Sequence, residues 1–154
     1  MADIFYTDAK RAIADNSAAD TINLVGTTVK VMLVDSTYVG NVDDIFIDDG
    51  SANDPQSHEI SVTGYTGGFA GSGRKSLASK TLTSDFTNDR AEFDAADVTW
   101  TALGTGATIG AAILIKERTA DTDSQIIAKF DLTDTPTNGG DITVSWNVEG
   151  LLNF

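Results

Sequence analysis

Along most of this chain apolar and polar residues alternate with the two-residue repeat of half-buried strands, and a helical repeat is confined to its beginning. From Thr27 to Val34, Val29, Val31 and Leu33 alternate with Thr28, Lys30 and Met32, which predicts a strand with one better-buried face. Glu59 to Tyr65 reads as a second strand. Leu77 to Phe86 reads as a third, with so few apolar residues that part of it is expected at the surface. The run Ala111 to Ile115 has no polar interruption, the pattern of a central strand covered on both faces. Ile126, Ala128, Phe130 and Leu132 alternate on the next strand, and Ile142, Val144, Trp146 and Val148 on the last.

The stretch from Asp85 to Trp100 carries the most local information. Thr87-Asn88-Asp89 supplies turn residues between a strand ending near Phe86 and a short strand over Ala91 to Phe93. Asp94-Ala95-Ala96-Asp97 then breaks the pattern before Val98 to Thr101. Ala91 and Phe93 share one face, as do Val98 and Trp100.

Before the strands, Asp3 reads as the cap of a helix over residues 4–14, with Phe5, Ala9, Ala12 and Ile13 at helical spacing. So short an amphipathic segment is marginal alone, and an arm that orders against a neighbour is the alternative. Asn16 to Asp20 is a polar link. Residues 35–58 hold Asp43, Asp44, Asp48, Asp49 and Asp54 around the apolar island Ile45-Phe46-Ile47, which suggests a surface excursion pinned by Phe46 or its neighbours. Gly67 to Gly73 and Gly104 to Gly110 read as flexible turns. Together these elements predict a mainly β chain: an antiparallel β-sandwich or barrel of about eight short strands with a short N-terminal helix or arm. Residues 1–154 are expected to form a single β-rich domain, with 1–20 as the N-terminal helix or arm.

Charge narrows the partners. Lys and Arg total 10 against 23 Asp and Glu, a net charge of -13, whereas binding to a phosphate backbone or anionic membrane is driven by basic residues. No nucleic-acid or membrane partner is expected. The absence of Cys removes disulfides and thiol chemistry, and the Met-Ala-Asp start shows no signal-peptide pattern.

Candidate chemistry is sparse. Gly71-Ser72-Gly73-Arg74-Lys75-Ser76 resembles a phosphate-binding loop only superficially, because Arg74 separates Gly73 from Lys75 and a strand follows. His58 is the one histidine, and in an extended segment Ser57 and Glu59 point away from it, so no catalytic triad is suggested. Asp43, Asp44, Asp48 and Asp49, with the pairs Asp94/Asp97 and Asp121/Asp123, offer hard oxygen ligands of the kind calcium takes. A solvated acidic loop explains them as well, and no metal or cofactor is expected. Trp100, Trp146, Phe93 and Phe130 occupy predicted inward positions, which favours core packing over a sugar-stacking platform.

Taken together, Phe5-Tyr6-Thr7-Asp8-Ala9-Lys10-Arg11-Ala12-Ile13-Ala14-Asp15, Val29 to Val34, Glu59 to Thr66, the Asp85–Trp100 stretch and the ending Trp146-Asn147-Val148-Glu149-Gly150-Leu151-Leu152 resemble a family of small virion structural proteins of tailed bacteriophages. The resemblance implies a non-enzymatic capsid decoration, or cement, protein. It would be made in the bacterial cytoplasm and bound to the outer surface of the virion capsid. The implied partners are the major capsid protein and further copies of the same chain, as a homotrimer. A tail or head-fibre component is the alternative within the virion, and a carbohydrate- or calcium-binding β domain the alternative outside it. Both ends of the chain carry more apolar surface than free termini usually expose, so Phe5, Tyr6, Ile13, Leu151, Leu152 and Phe154 are the candidate capsid or subunit contacts.

Overall fold

The apolar run at Ala111 to Ile115 lies at the middle of the largest sheet of the computed structural model, which describes residues 2–15, 20–26, 28–147 and 149–154. Thr27, most of the polar link and Val148 lie outside the described residues. The chain runs β1 (Ile4–Phe5), α1 (Thr7–Ala14), β2 (Val29–Asp35), β3 (Lys75–Ser76), β4 (Thr81–Asp85), β5 (Arg90–Asp94), β6 (Val98–Trp100), β7 (Thr108–Lys116), β8 (Gln125–Pro136), β9 (Ile142–Val144) and β10 (Leu152–Asn153). Every strand pairing is antiparallel. The strands form a five-stranded sheet ordered β1-β8-β7-β2-β3, a three-stranded sheet β10-β5-β4 and the pair β6-β9. The fold is therefore mainly β, sandwich- or barrel-like, with one short helix among the described residues.

Burial explains why β2, β7 and β8 sit centrally. Ile109 to Ile115 are buried without interruption, and so are Val31 to Val34 and Gln125 to Lys129. Each fully buried aliphatic side chain contributes about 1.5–3 kcal/mol, so strands apolar on both faces gain most by lying between two others. The alternation expected on β2 and in the first half of β8 is thus a weaker description than burial on both faces.

The Asp85–Trp100 stretch folds as its turn chemistry requires. β4 and β5 pair from Thr81↔Asp94 to Asp85↔Arg90, and Asp89 takes the positive φ of 53° in the connecting turn. Asp85 Oδ1 accepts the Thr87 and Asn88 amides at 2.9 and 3.2 Å, which fixes that turn.

Four elements differ from their sequence pattern. The strand expected over Leu77 to Phe86 is strand only over Thr81–Asp85, because the chain bends before it at Ser79, whose φ is 51°. Ile4–Phe5 is a strand, not helix, because its pairing with β8 covers an otherwise open sheet edge; α1 begins only at Thr7, and Asp3 accepts the Asp131 amide at 2.7 Å instead of capping it. Glu59 to Tyr65 is not a continuous strand. It makes isolated bridges, Val34↔Glu59 and Val62↔Tyr65, and turns back at Gly64, whose φ is 87°. The last predicted strand stops at Val144, which leaves Trp146 beyond it.

Residues 35–58 are pinned as the apolar island suggested, with Ile47 as the buried residue. Its amide donates to Ser124 O at 2.9 Å while Ile126 N donates to Ile45 O at 2.9 Å.

A polar knot ties the loops to this core. Arg74 donates to Glu59 through Nε and Nη2 at 2.9 and 2.6 Å, and to Asp121 through Nη1 and Nη2 at 2.5 and 3.1 Å. Its side chain has no exposed surface. The Tyr65 hydroxyl donates to Glu59 at 2.9 Å and accepts the Leu33 amide at 3.0 Å, linking the knot to β2. Gly73 is required beside it: a Cβ there would collide with the Tyr65 ring, and its carbonyl accepts Trp100 Nε1 at 2.6 Å. The loop from Gly67 to Gly73, expected to be flexible, is held from both sides.

Candidate subunit-contact surface

Both ends of the described chain are built into the fold. Tyr6 N donates to Ile127 O at 3.1 Å, and the Tyr6 ring is fully buried with its hydroxyl 3.0 Å from that of Tyr38. Burial pushes the Tyr6 hydroxyl up to about 12, so it stays protonated and serves as a hydrogen-bonding group. Ala9 and Ala12 carry the buried side of α1. At the other end, Leu152 pairs with Phe93, Leu151 N donates to Phe93 O at 2.8 Å, and Phe154 and Ala91 exchange backbone hydrogen bonds at 3.0 and 3.3 Å. Of the six candidate contacts, Tyr6, Leu151 and Leu152 place their apolar surface inside the domain, because strand pairing carries them there. Phe5 and Ile13 are half-buried and Phe154 is 45% exposed, so these three retain surface for a neighbour.

A further set of apolar side chains lies beside them. β4 is an edge strand, and Thr81 to Ser84 are all exposed. Leu82 is 54% exposed and Phe86, at the β4–β5 turn, 90% exposed. Leu82, Ile13 and Val25 border one shallow cavity of about 270 Å³; Phe86, Phe154 and Ala91 border another, of about 370 Å³. A phenylalanine this open forfeits the burial free energy that its ring would gain inside a core. Its position on an unpaired edge, near two more apolar side chains, fits a surface that becomes covered on association. The sequence hinted at it only through the low apolar content of Leu77 to Phe86.

The other candidate groups are occupied by interactions of their own. His58 Nδ1 lies 3.3 Å from Asp35 Oδ1 and 3.1 Å from Thr37 Oγ1. A nucleophile and an orienting carboxylate must use opposite ring nitrogens for proton transfer through the imidazole, and here both face the same one. Asp85, Glu92 and Glu149 bring three carboxylates within 4.8 Å of one another. Arg90 contacts all three, at 3.4 Å from Asp85 and 2.7 Å from Glu92, and so places a guanidinium where a cation would bind. In the acidic loop, Asp44 accepts the Asn41 amide at 3.1 Å, Asp48 that of Gly50 at 3.0 Å and Asp49 that of Ser51 at 2.8 Å. These carboxylates close local turns. Asp121 is part of the Arg74 knot, and Asp123 accepts the Thr119 and Ala120 amides at 3.1 and 2.8 Å.

Two of the four aromatics assigned inward positions are not wholly inside. Phe93 and Trp100 are core residues, whereas Phe130 and Trp146 are half-buried with ring centroids 5.2 Å apart. No helix is long and apolar enough to cross a membrane among the described residues. No protein family, curated protein or solved structure matches the chain.

Proposed function

We propose that the protein is a capsid decoration protein of a tailed bacteriophage, which docks on an assembled shell of major capsid protein and stabilises it. The observation that carries this reading is the exposure of Leu82 on the open edge strand β4 and of Phe86 at the turn that follows it, with Phe154 across the sheet at the same cavity as Phe86. The family resemblance gives that surface its partner, and the acidic composition argues against a role on packaged DNA.

The mechanism is adhesive. Covering Leu82 and Phe86 removes apolar surface from water, and the open edge of β4 offers backbone donors and acceptors to an approaching strand. A unit that bridges adjacent shell subunits raises the free energy needed to part them. Copies joined as a homotrimer gain avidity, because each contact raises the effective concentration for the next. Docking follows shell closure, so shells without this protein assemble with normal geometry and fail at lower temperature.

Co-sedimentation of purified protein with shells of the major capsid protein tests the proposal. Saturable binding is expected, with Leu82→Ser/Phe86→Ser losing it while keeping the wild-type circular dichroism spectrum. Unchanged binding by that variant removes the β4 surface from the contact, and the absence of binding by the wild type removes the function.

A further inference from the structure

Trp146 and Phe130 stand at a cavity of about 330 Å³ between the end of β9, β8 and the C-terminal segment. Their ring planes meet at 59°, which makes a corner and not a stacked pair. The indole is held from behind: Nε1 donates to Ala96 O at 3.1 Å, and the Trp146 amide donates to Asp97 Oδ1 at 3.1 Å. Asp3, Asp131, Ser145 and Asn147 complete the polar part of the lining. Two of these are set in place by bonds of their own, since Asp3 Oδ1 accepts the Asp131 amide at 2.7 Å and Asp131 Oδ1 accepts Lys129 Nζ at 2.9 Å.

From this geometry we infer that the cavity is a binding site for a neutral saccharide. A pyranose has an apolar C–H face suited to an indole and a rim of hydroxyls suited to carboxylate and amide groups, and this cavity places both kinds of partner around one space. Apolar and anionic ligands fit less well. A wholly apolar ligand would strip water from Asp3 and Asp131 without replacing their hydrogen bonds. An anionic sugar or a nucleotide would meet Asp3 and Asp131, whose charge the ammonium of Lys129 beside Asp131 offsets only in part, on a chain of net charge -13. At about 330 Å³ the cavity lies at the small end of ligand sites, room for about one or two sugar units. Sequence alternation placed Trp146 in the core. The termination of β9 at Val144 leaves it half-buried at the cavity instead. The site does not involve β4 and stands whether or not that edge docks on a capsid.

The test is titration of the full chain with maltotriose, cellotriose and chitotriose, followed by tryptophan fluorescence and calorimetry, with tetramethylammonium as a cationic counter-probe. At least one trisaccharide is expected to bind saturably, with Kd of about 1 mM or tighter. Trp146→Ala should weaken it at least about tenfold and Trp146→Phe less, both with the wild-type circular dichroism spectrum. Trp100, buried and bonded to Gly73, provides the unresponsive internal reference. The inference is overturned if no trisaccharide saturates, if Trp146→Ala binds like the wild type, or if tetramethylammonium binds more tightly than every sugar, which would make the corner a cation cage.

Discussion

The ring of Phe5 meets the ring of Phe154 edge to face, with centroids 5.4 Å apart and planes at 82°. One residue lies on β1 and the other just beyond β10, so the two ends of the described chain close against each other. Lys10 Nζ lies 5.1 Å from the Phe5 centroid and adds a cation to the cluster. Such an edge-on pair contributes about 0.5–1.5 kcal/mol beyond its buried area.

Removal of residues 1–15 is therefore expected to damage the fold, although the sequence pattern alone allowed a detachable arm. Tyr6, Ala9 and Ala12 would leave the core, and β8 would lose its β1 partner. The milder Phe154→Ala should cost about 1 kcal/mol and remain folded. Urea denaturation of both variants checks this, and a truncated chain as stable as the full one contradicts it.

Arg74 is the next test. Its guanidinium lies between Glu59 and Asp121 with no exposed side-chain surface, so its removal leaves two largely buried carboxylates without their cation. Arg74→Ala should lose about 3–5 kcal/mol in chemical denaturation. A loss of less than about 1 kcal/mol, the range of an exposed ion pair, would show that the knot is open to water.

Trp100 and Trp146 should separate in the same assay. Trp100→Ala removes a fully buried ring and should cost about 3–5 kcal/mol. Trp146→Ala removes a half-buried ring at a cavity and should cost clearly less. Equal losses would place Trp146 in the core after all.

How legible these features were depended on whether the determining contacts are local. The β4–β5 turn is written in Asp85, Asn88 and Asp89 themselves, whose side chains and φ values make the bend, so the hairpin follows from sequence. The burial of Ala111 to Ile115 follows likewise from an apolar run with nowhere else to go. Glu59 to Tyr65 misleads because Ile60 and Val62 alternate as in a strand, yet the Arg74 partner of Glu59 and the reversal at Gly64 are set fifteen and five residues further along. Phe5 satisfies a helical repeat with Ala9, Ala12 and Ile13 as readily as a strand, and only the distant β8 edge decides for a strand. The exposure of Phe86 is hinted at only by the low apolar content of Leu77 to Phe86, since an apolar residue next to a turn looks the same whether it points in or out.

Acid should expose one further contact. Burial raises the Asp35 carboxyl, but the Thr37 hydroxyl, the Thr37 amide and the His58 ring outweigh it and hold the group below the usual carboxylate range. Because the folded value lies below the unfolded one of about 3.9, the stabilisation is complete above that pH and is lost as the pH falls through the folded value. Asp35→Asn should therefore be less stable than wild type at neutral pH, and the gap should close in acid. A gap independent of pH would assign the contact no electrostatic part.

Electron cryomicroscopy of the purified virion tests the decoration function most directly, since it both locates and counts the chain. The predicted result is density for this fold on the outside of the capsid, as trimers, with Leu82 and Phe86 of the β4–β5 hairpin covered by major capsid protein. Density confined to the tail, or a capsid surface without this fold, would contradict it.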